Sequence, residues 1–167
     1  MNNPWYFITV FGAPEVWVLV SIGLLFIYFL LGNKLPEKRK KKFKEFLKIY
    51  LPSVLITFTL IFFIKNIFPT ERPCIPCFFE GQENCDPYCP SDSSFPSGHA
   101  ATGFLVFTSL FLILRKRKFL WIFIIPVIIS ISRIALEVHT YIDITVGAII
   151  GVLIPLIIYK IMNRLEK

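Results

Sequence analysis

The chain has 167 residues, 55% of them hydrophobic and 17% charged, with a mean hydropathy of +0.66 and a formal charge of +7. That length supports one domain, and that composition excludes an ordinary soluble protein in favour of an integral membrane one. The sequence pI near 9.3 does not point to nucleic acid, because the basic residues lie in blocks beside apolar runs, where they anchor a membrane protein.

In chain order, Met1 to Trp5 lacks a basic leader region, so no cleavable signal peptide is expected. Pro4–Trp17 carries Trp5, Tyr6, Phe7, Phe11 and Trp17 and reads as an interfacial aromatic segment. Five apolar runs follow, at about 16–32, 46–64, 97–114, 119–136 and 144–162. They predict an all-α, polytopic transmembrane helix bundle with several spans at the short end of the usual range. Pro52, Pro126 and Pro155 fall inside these runs, which neighbouring helices tolerate in a membrane. Gly147 and Gly151 form a GxxxG pair that predicts close helix packing.

Fifteen of the 18 Lys and Arg residues sit in three clusters, at 34–48, 115–118 and 160–167. Positive charge beside spans stays on the cytoplasmic side, which puts the N-terminus and the loop 65–96 outside, with the plasma membrane as the expected setting. The other three cations, Lys65, Arg72 and Arg133, fall on the outer face, together with both histidines of the chain, His99 and His139.

All four cysteines, Cys74, Cys77, Cys85 and Cys89, lie in the outer loop. Their spacing is compatible with a structural zinc site. An even count facing an oxidising compartment points instead to two disulfides, of a pairing that sequence does not choose. In either case the staple holds the flanking Arg72 and Ser97 in place.

The outer face has the chemistry of a phosphate site. Pro96-Ser97-Gly98-His99 opens a span, and free amides at a helix start bind a phosphoryl group. Arg72 and Arg133 are able to fork onto phosphate oxygens, with Lys65 as a point charge. The two histidines supply a nucleophile and an acid, and Asp143, four residues after His139, shares its face of a helical turn and orients the imidazole. No Asp/Glu cluster calls for a catalytic metal and no cofactor is expected; the cations take that role. Each residue also has a bland alternative: a helix cap for Asp143, headgroup contact for Lys65 and Arg133, a plain turn for Pro96–Gly98. Their convergence on one face favours the site.

The pattern Lys65-x6-Arg72-Pro73, Pro96-Ser97-Gly98-His99 and Ser132-Arg133-x5-His139-x3-Asp143 resembles the three-part signature of the type 2 phosphatidic acid phosphatase superfamily. The resemblance implies a helical core shared with bacterial acid phosphatases and vanadium haloperoxidases. It implies that His139 attacks phosphorus to give a phosphohistidine, that Asp143 orients it, and that His99 protonates the leaving oxygen and later activates water. Lys65, Arg72, Ser97, Gly98 and Arg133 would hold the phosphoryl oxygens, without metal and with sensitivity to vanadate. The expected substrate is a phospholipid or isoprenoid lipid carrying a phosphomonoester or diphosphate: phosphatidic acid, phosphatidylglycerol phosphate or a polyprenyl diphosphate. Two departures stand out: integral relatives often have six spans, and Glu137 occupies a position where small residues are common, close enough to His139 to repel a second phosphate or to pair with Arg133.

Two rival readings use the same residues. A lipid-linked phosphotransferase would resolve the phosphohistidine with an alcohol. An anion transporter would need charge near the middle of a span, where this chain has none.

Overall fold

The computed structural model describes residues 4–77, 86 and 89–165. Among the described residues six α-helices follow one another: α1 (Pro4–Val10), α2 (Pro14–Leu31), α3 (Glu37–Ile67), α4 (Gly98–Leu114), α5 (Ile124–Ala135) and α6 (Tyr141–Leu165). Four segments among the described residues are long and apolar enough to cross a membrane: α2, α3, α6 and the stretch Arg117–Ala135 that ends in α5. With α4, a shorter apolar helix, they occupy the places of the five expected spans. Their outward faces present Leu19, Phe26, Phe29, Leu55, Phe62 and Ile149, as lipid-facing helices should.

The aromatic N-terminal segment divides into two helices. Pro14 begins α2 at a position where its missing N–H costs nothing, and the Trp17 indole donates to the Phe11 carbonyl at 2.7 Å across the break. Gly12 sits at that break because a side chain there would strike Ile129 and the His99 ring. Phe7 and Phe11 remain exposed while Thr9 is buried against α5.

α3 differs from a loop-then-span expectation. It starts at Glu37, so most of the basic block 34–48 is helical, because Lys, Arg and Glu are strong helix formers. Its 31 residues extend about 46 Å at 1.5 Å per residue, well beyond a hydrocarbon layer of about 30 Å. The fourth span is also uneven. Residues Arg117–Phe123 wind as a 3₁₀-helix before α5, since Pro126 has no N–H to continue an α-helical ladder back to Ile122.

α4 is the central helix, packed on α6, α3 and α5. Gly147 and Gly151 let α6 approach so closely that a β-carbon at either would meet the main-chain oxygen of Ser97 or Ala101. Beneath this pair, Tyr50, Val54, Leu105 and Val106 form a core with Trp17, Phe46 and Phe58 against it. The Tyr50 hydroxyl lies 3.0 Å from Ser21 Oγ, satisfying both and tying α2 to α3. The chain direction then places the end of α3, the start of α4, the end of α5 and the start of α6 together, with the basic blocks at the other ends.

Candidate active site

His139 lies in the short connection from α5 to α6 and is 3% exposed. Two capping motifs hold it there. α5 ends with Glu137 N–H donating to Ile134 O at 2.8 Å and Val138 N–H to Arg133 O at 3.1 Å, a Schellman arrangement with Glu137 in the left-handed region at φ 54°. α6 begins with a reciprocal pair: Thr140 N–H donates to Asp143 Oδ2 at 2.7 Å, and Asp143 N–H donates to Thr140 Oγ1 at 3.3 Å. Thr140 is thus the cap and Asp143 its partner, leaving the carboxylate turned toward His139, with Oδ2 3.5 Å from Nδ1.

Ser94, which the sequence does not single out, stands between them. Its hydroxyl donates to Asp143 Oδ2 at 2.5 Å and lies 3.4 Å from His139 Nδ1. Because the one hydroxyl proton goes to the carboxylate, the serine oxygen meets Nδ1 as an acceptor, so Nδ1 carries the imidazole hydrogen. The Nε2 lone pair is left pointing outward, 3.4 Å from Arg72 Nη1. The His139 pKa is lowered to about 4, chiefly by burial and further by the charges of Arg72 and Arg133, with Asp143 opposing. At neutral pH this ring is uncharged.

Of the three cations, Arg72 faces that nitrogen. Arg72 donates from Nη1 to Val138 O at 2.7 Å and from Nη2 to Asp92 Oδ1 at 2.6 Å. Lys65 reaches the other Asp92 oxygen at 2.7 Å and also the Ser93 carbonyl. Asp92, a second residue the motifs did not reveal, has its carboxyl held below the usual range: burial works to raise it, and the hydrogen bonds from Lys65 and Arg72 prevail. Arg133 is 6% exposed; its Nη1 donates to Thr9 Oγ1 of α1 at 2.7 Å, and its buried Nε has no hydrogen-bond partner. Among the described residues no ion pair joins Arg133 to Glu137, whose side chain is exposed.

At the start of α4, Ser97 is fully buried. Its Oγ accepts from Ala100 N–H at 3.5 Å and its own N–H donates to Asp143 O at 3.0 Å. Gly98 and His99 then supply the first-turn amides that a helix cannot satisfy internally. His99 lies within electrostatic reach of Arg133, His139, Arg72 and Lys65. All eight residues expected to act on phosphate therefore gather at one end of the bundle.

Cys74 and Cys89 form a disulfide with a Cα–Cα distance of 5.9 Å. Cys77 is also disulfide-bonded, while Cys85 lies outside the described residues. Among the described residues no three His, Cys, Asp or Glu side chains group as metal ligands. A cavity of about 720 Å³ opens beside Lys65 and Arg72, walled by Thr70, Ser91, Asp92 and Ser93. Arg72, which faces His139, lines it, and neither histidine does.

The family model of the PAP2 superfamily matches residues 46–167. The lipid A 4′-phosphatase of Porphyromonas gingivalis is 31% identical over 163 residues, which is 93% of this chain and 64% of that protein. The bacitracin transport permease protein BcrC of Bacillus licheniformis is 37% identical over 75 residues, 45% of this chain and 36% of that one. The chain thus spans about a third and somewhat under two thirds of the lengths of these curated relatives. Among solved structures, Aquifex aeolicus LpxE superposes with a TM-score of 0.67 at 25% identity, covering 93% of this chain and 83% of that one. The first transmembrane PAP2 type phosphatidylglycerolphosphate phosphatase from Bacillus subtilis gives 0.62 at 19% identity, covering 98% and 80%, a likeness of fold.

Proposed function

The chain belongs to the PAP2 superfamily, and from that premise we propose that it is an integral membrane lipid phosphatase working through a phosphohistidine at His139. The observation that carries this reading is the two-sided setting of one ring. Nδ1 of His139 is engaged by Ser94 and Asp143 while Nε2 faces Arg72.

In the first step Nε2 attacks phosphorus and the bond from phosphorus to the lipid oxygen breaks. His99, protonated once the phosphate anion is bound beside it, gives that proton to the departing alkoxide and becomes neutral. The ring, now bearing phosphorus on Nε2 and hydrogen on Nδ1, is cationic, and Asp143 stabilises it through Ser94. In the second step neutral His99 takes a proton from water, the hydroxide attacks phosphorus, and the P–N bond breaks. Inorganic phosphate leaves and His139 returns to its starting form. Arg133, with its unpaired Nε, and the first amides of α4 are placed to hold the oxygens as charge builds. Lys65 and Arg72 add charge that a metal supplies in other phosphoryl-transfer sites.

The substrate we propose is a phosphorylated membrane lipid, its chains among the exposed apolar faces and its headgroup in the cavity beside Lys65 and Arg72. The active site would face the non-cytoplasmic side of the plasma membrane, opposite the basic blocks. The relatives named for lipid A and phosphatidylglycerolphosphate supply the first lipids to try, beside phosphatidic acid and a polyprenyl diphosphate.

The test is phosphate release by the detergent-purified protein in EDTA with each of these lipids, alongside His139→Ala. Release that survives EDTA and disappears in the variant supports the reading. Release unaffected by the substitution refutes the nucleophile, and release that requires an added alcohol acceptor makes the chain a phosphotransferase.

A further inference from the structure

Arg72 has five N–H donors, and their destinations show what this side chain is free to do. Nε donates to the Asp92 carbonyl at 3.0 Å, and Nη2 to Asp92 Oδ1 at 2.6 Å and, more distantly, to Ser93 O at 3.4 Å. Nη1 donates to Val138 O at 2.7 Å and faces His139 Nε2 at 3.4 Å. The Nε–Nη2 edge is therefore fixed by Asp92, and the one loose donor is aimed at the atom that would attack phosphorus. Asp92 also takes Lys65 on its second oxygen, so one carboxylate separates and screens two like charges. Burial does not hold it there, since the Asp92 side chain is 57% exposed whereas that of Arg72 is 5% exposed. The covalent frame does: Cys74 follows Arg72 by two residues, Cys89 precedes Asp92 by three, and the two cysteines are bonded.

We propose that Asp92 is the positioning residue of the phosphate site, clamping the outer edge of Arg72 so that Nη1 passes from His139 Nε2 to a phosphate oxygen when substrate arrives. The proposal rests on the phosphatase reading and adds to it a residue outside the three motifs. A misplacement of about 1 Å at a reacting group costs about 100-fold in rate, and Asp92→Ala removes the carboxylate that holds Nη2 of Arg72 and Nζ of Lys65, leaving the main-chain carbonyl of residue 92 on Nε. Asp92→Asn retains an oxygen for Nη2 while losing the charge and the acceptor for Lys65, so its defect is smaller, about tenfold.

The experiment measures lipid-phosphate turnover and orthovanadate binding for wild type, Asp92→Ala, Asp92→Asn, Arg72→Ala and the Asp92→Ala/Arg72→Ala double variant, each with its melting temperature in detergent. The expected result is a fall in kcat for Asp92→Ala with a smaller change in KM, partial recovery in Asp92→Asn, weaker vanadate binding, and a double variant little worse than Arg72→Ala alone. An Asp92→Ala melting temperature near that of the wild type separates positioning from unfolding; if that variant melts early, the Asn variant carries the comparison. Losses that multiply in the double variant, or turnover within twofold of wild type, overturn the proposal while leaving the phosphatase reading intact. Tighter vanadate binding by Asp92→Asn also overturns it, since the carboxylate would then be competing with phosphate. A wild-type protein that neither releases phosphate nor binds vanadate overturns both.

Discussion

Ser94 and Asp143 are joined by a 2.5 Å hydrogen bond although 49 residues separate them, and that bond puts a hydroxyl between the carboxylate and the imidazole of His139. Asp143 therefore acts on the ring through an intermediary as well as directly, across 3.5 Å. Removing the hydroxyl takes a donor from a buried carboxylate, which costs about 1–3 kcal/mol. Ser94→Ala should lower kcat about tenfold, the share of one such hydrogen bond in the transition state. Steady-state kinetics with KM little changed would support this; an unaltered kcat would remove Ser94 from the mechanism.

Thr9 is the described partner of Arg133 Nη1, and it comes from a helix of seven residues at the far end of the chain. Thr9→Val keeps the shape and removes the acceptor, leaving another donor of a buried guanidinium unsatisfied. The expected cost is about 1–3 kcal/mol of stability, together with a raised KM because Arg133 is freer to turn. Thermal melts and kinetics on the same preparation test both halves.

His139 should titrate far from an ordinary histidine. Its folded pKa of about 4 lies below the unfolded reference near 6.5, so the unfolded chain binds this proton first as pH falls. The associated stabilisation is complete above about pH 6.5 and is lost progressively as pH falls toward 4. The chain has only two histidines, so imidazole NMR with His99→Asn for assignment isolates the signal. A midpoint near 6.5 would show that the ring is neither desolvated nor held among cations.

The glycines separate by what surrounds them. Gly23 has open space around it, whereas Gly151 faces the Ala101 carbonyl. Gly23→Ala should be neutral or stabilising by up to about 1 kcal/mol, the helix-propensity difference. Gly151→Leu should push α6 from α4 and displace Ser97 to His99 relative to Asp143, costing both stability and turnover. Equal melting temperatures for the two variants would contradict the close packing.

Glu137 occupies a backbone conformation that costs a non-glycine residue about 1–2 kcal/mol. Glu137→Gly relieves that strain against a loss of about 0.5–1 kcal/mol in chain entropy, so a small gain in stability is expected. Glu137→Val, β-branched at the same φ, should melt lower than either. The reverse order would mean that the Schellman turn is not the element that delivers His139.

The parts of the site legible in sequence are those made conspicuous by contrast. In an apolar chain, three isolated cations and two histidines stand out, and their short internal spacings survive as helix ends. Ser94, Asp92 and Thr9 did not stand out, because serine, an acid in an acid-rich loop and a threonine among aromatics are individually unremarkable. They reach their partners across separations of 49, 27 and 124 residues, which only the packing of α1 on α5 and of the loop after α3 on the end of α3 and the start of α6 brings about. The five apolar stretches were readable from hydropathy, but the helical start of α3 depends on propensity within a charged block, and the 3₁₀ stretch before α5 on one missing amide at Pro126.

The Cys74–Cys89 bond closes residues 75–88 into a covalent ring whose neck carries Arg72 on one side and Asp92 on the other. A protease cut between positions 75 and 88 would leave the two residues on one molecule, and inserted or deleted residues there would change the ring's circumference without changing the distance across its opening. The cation that faces His139 is thus tied covalently, through one bond, to the acid that holds its outer edge.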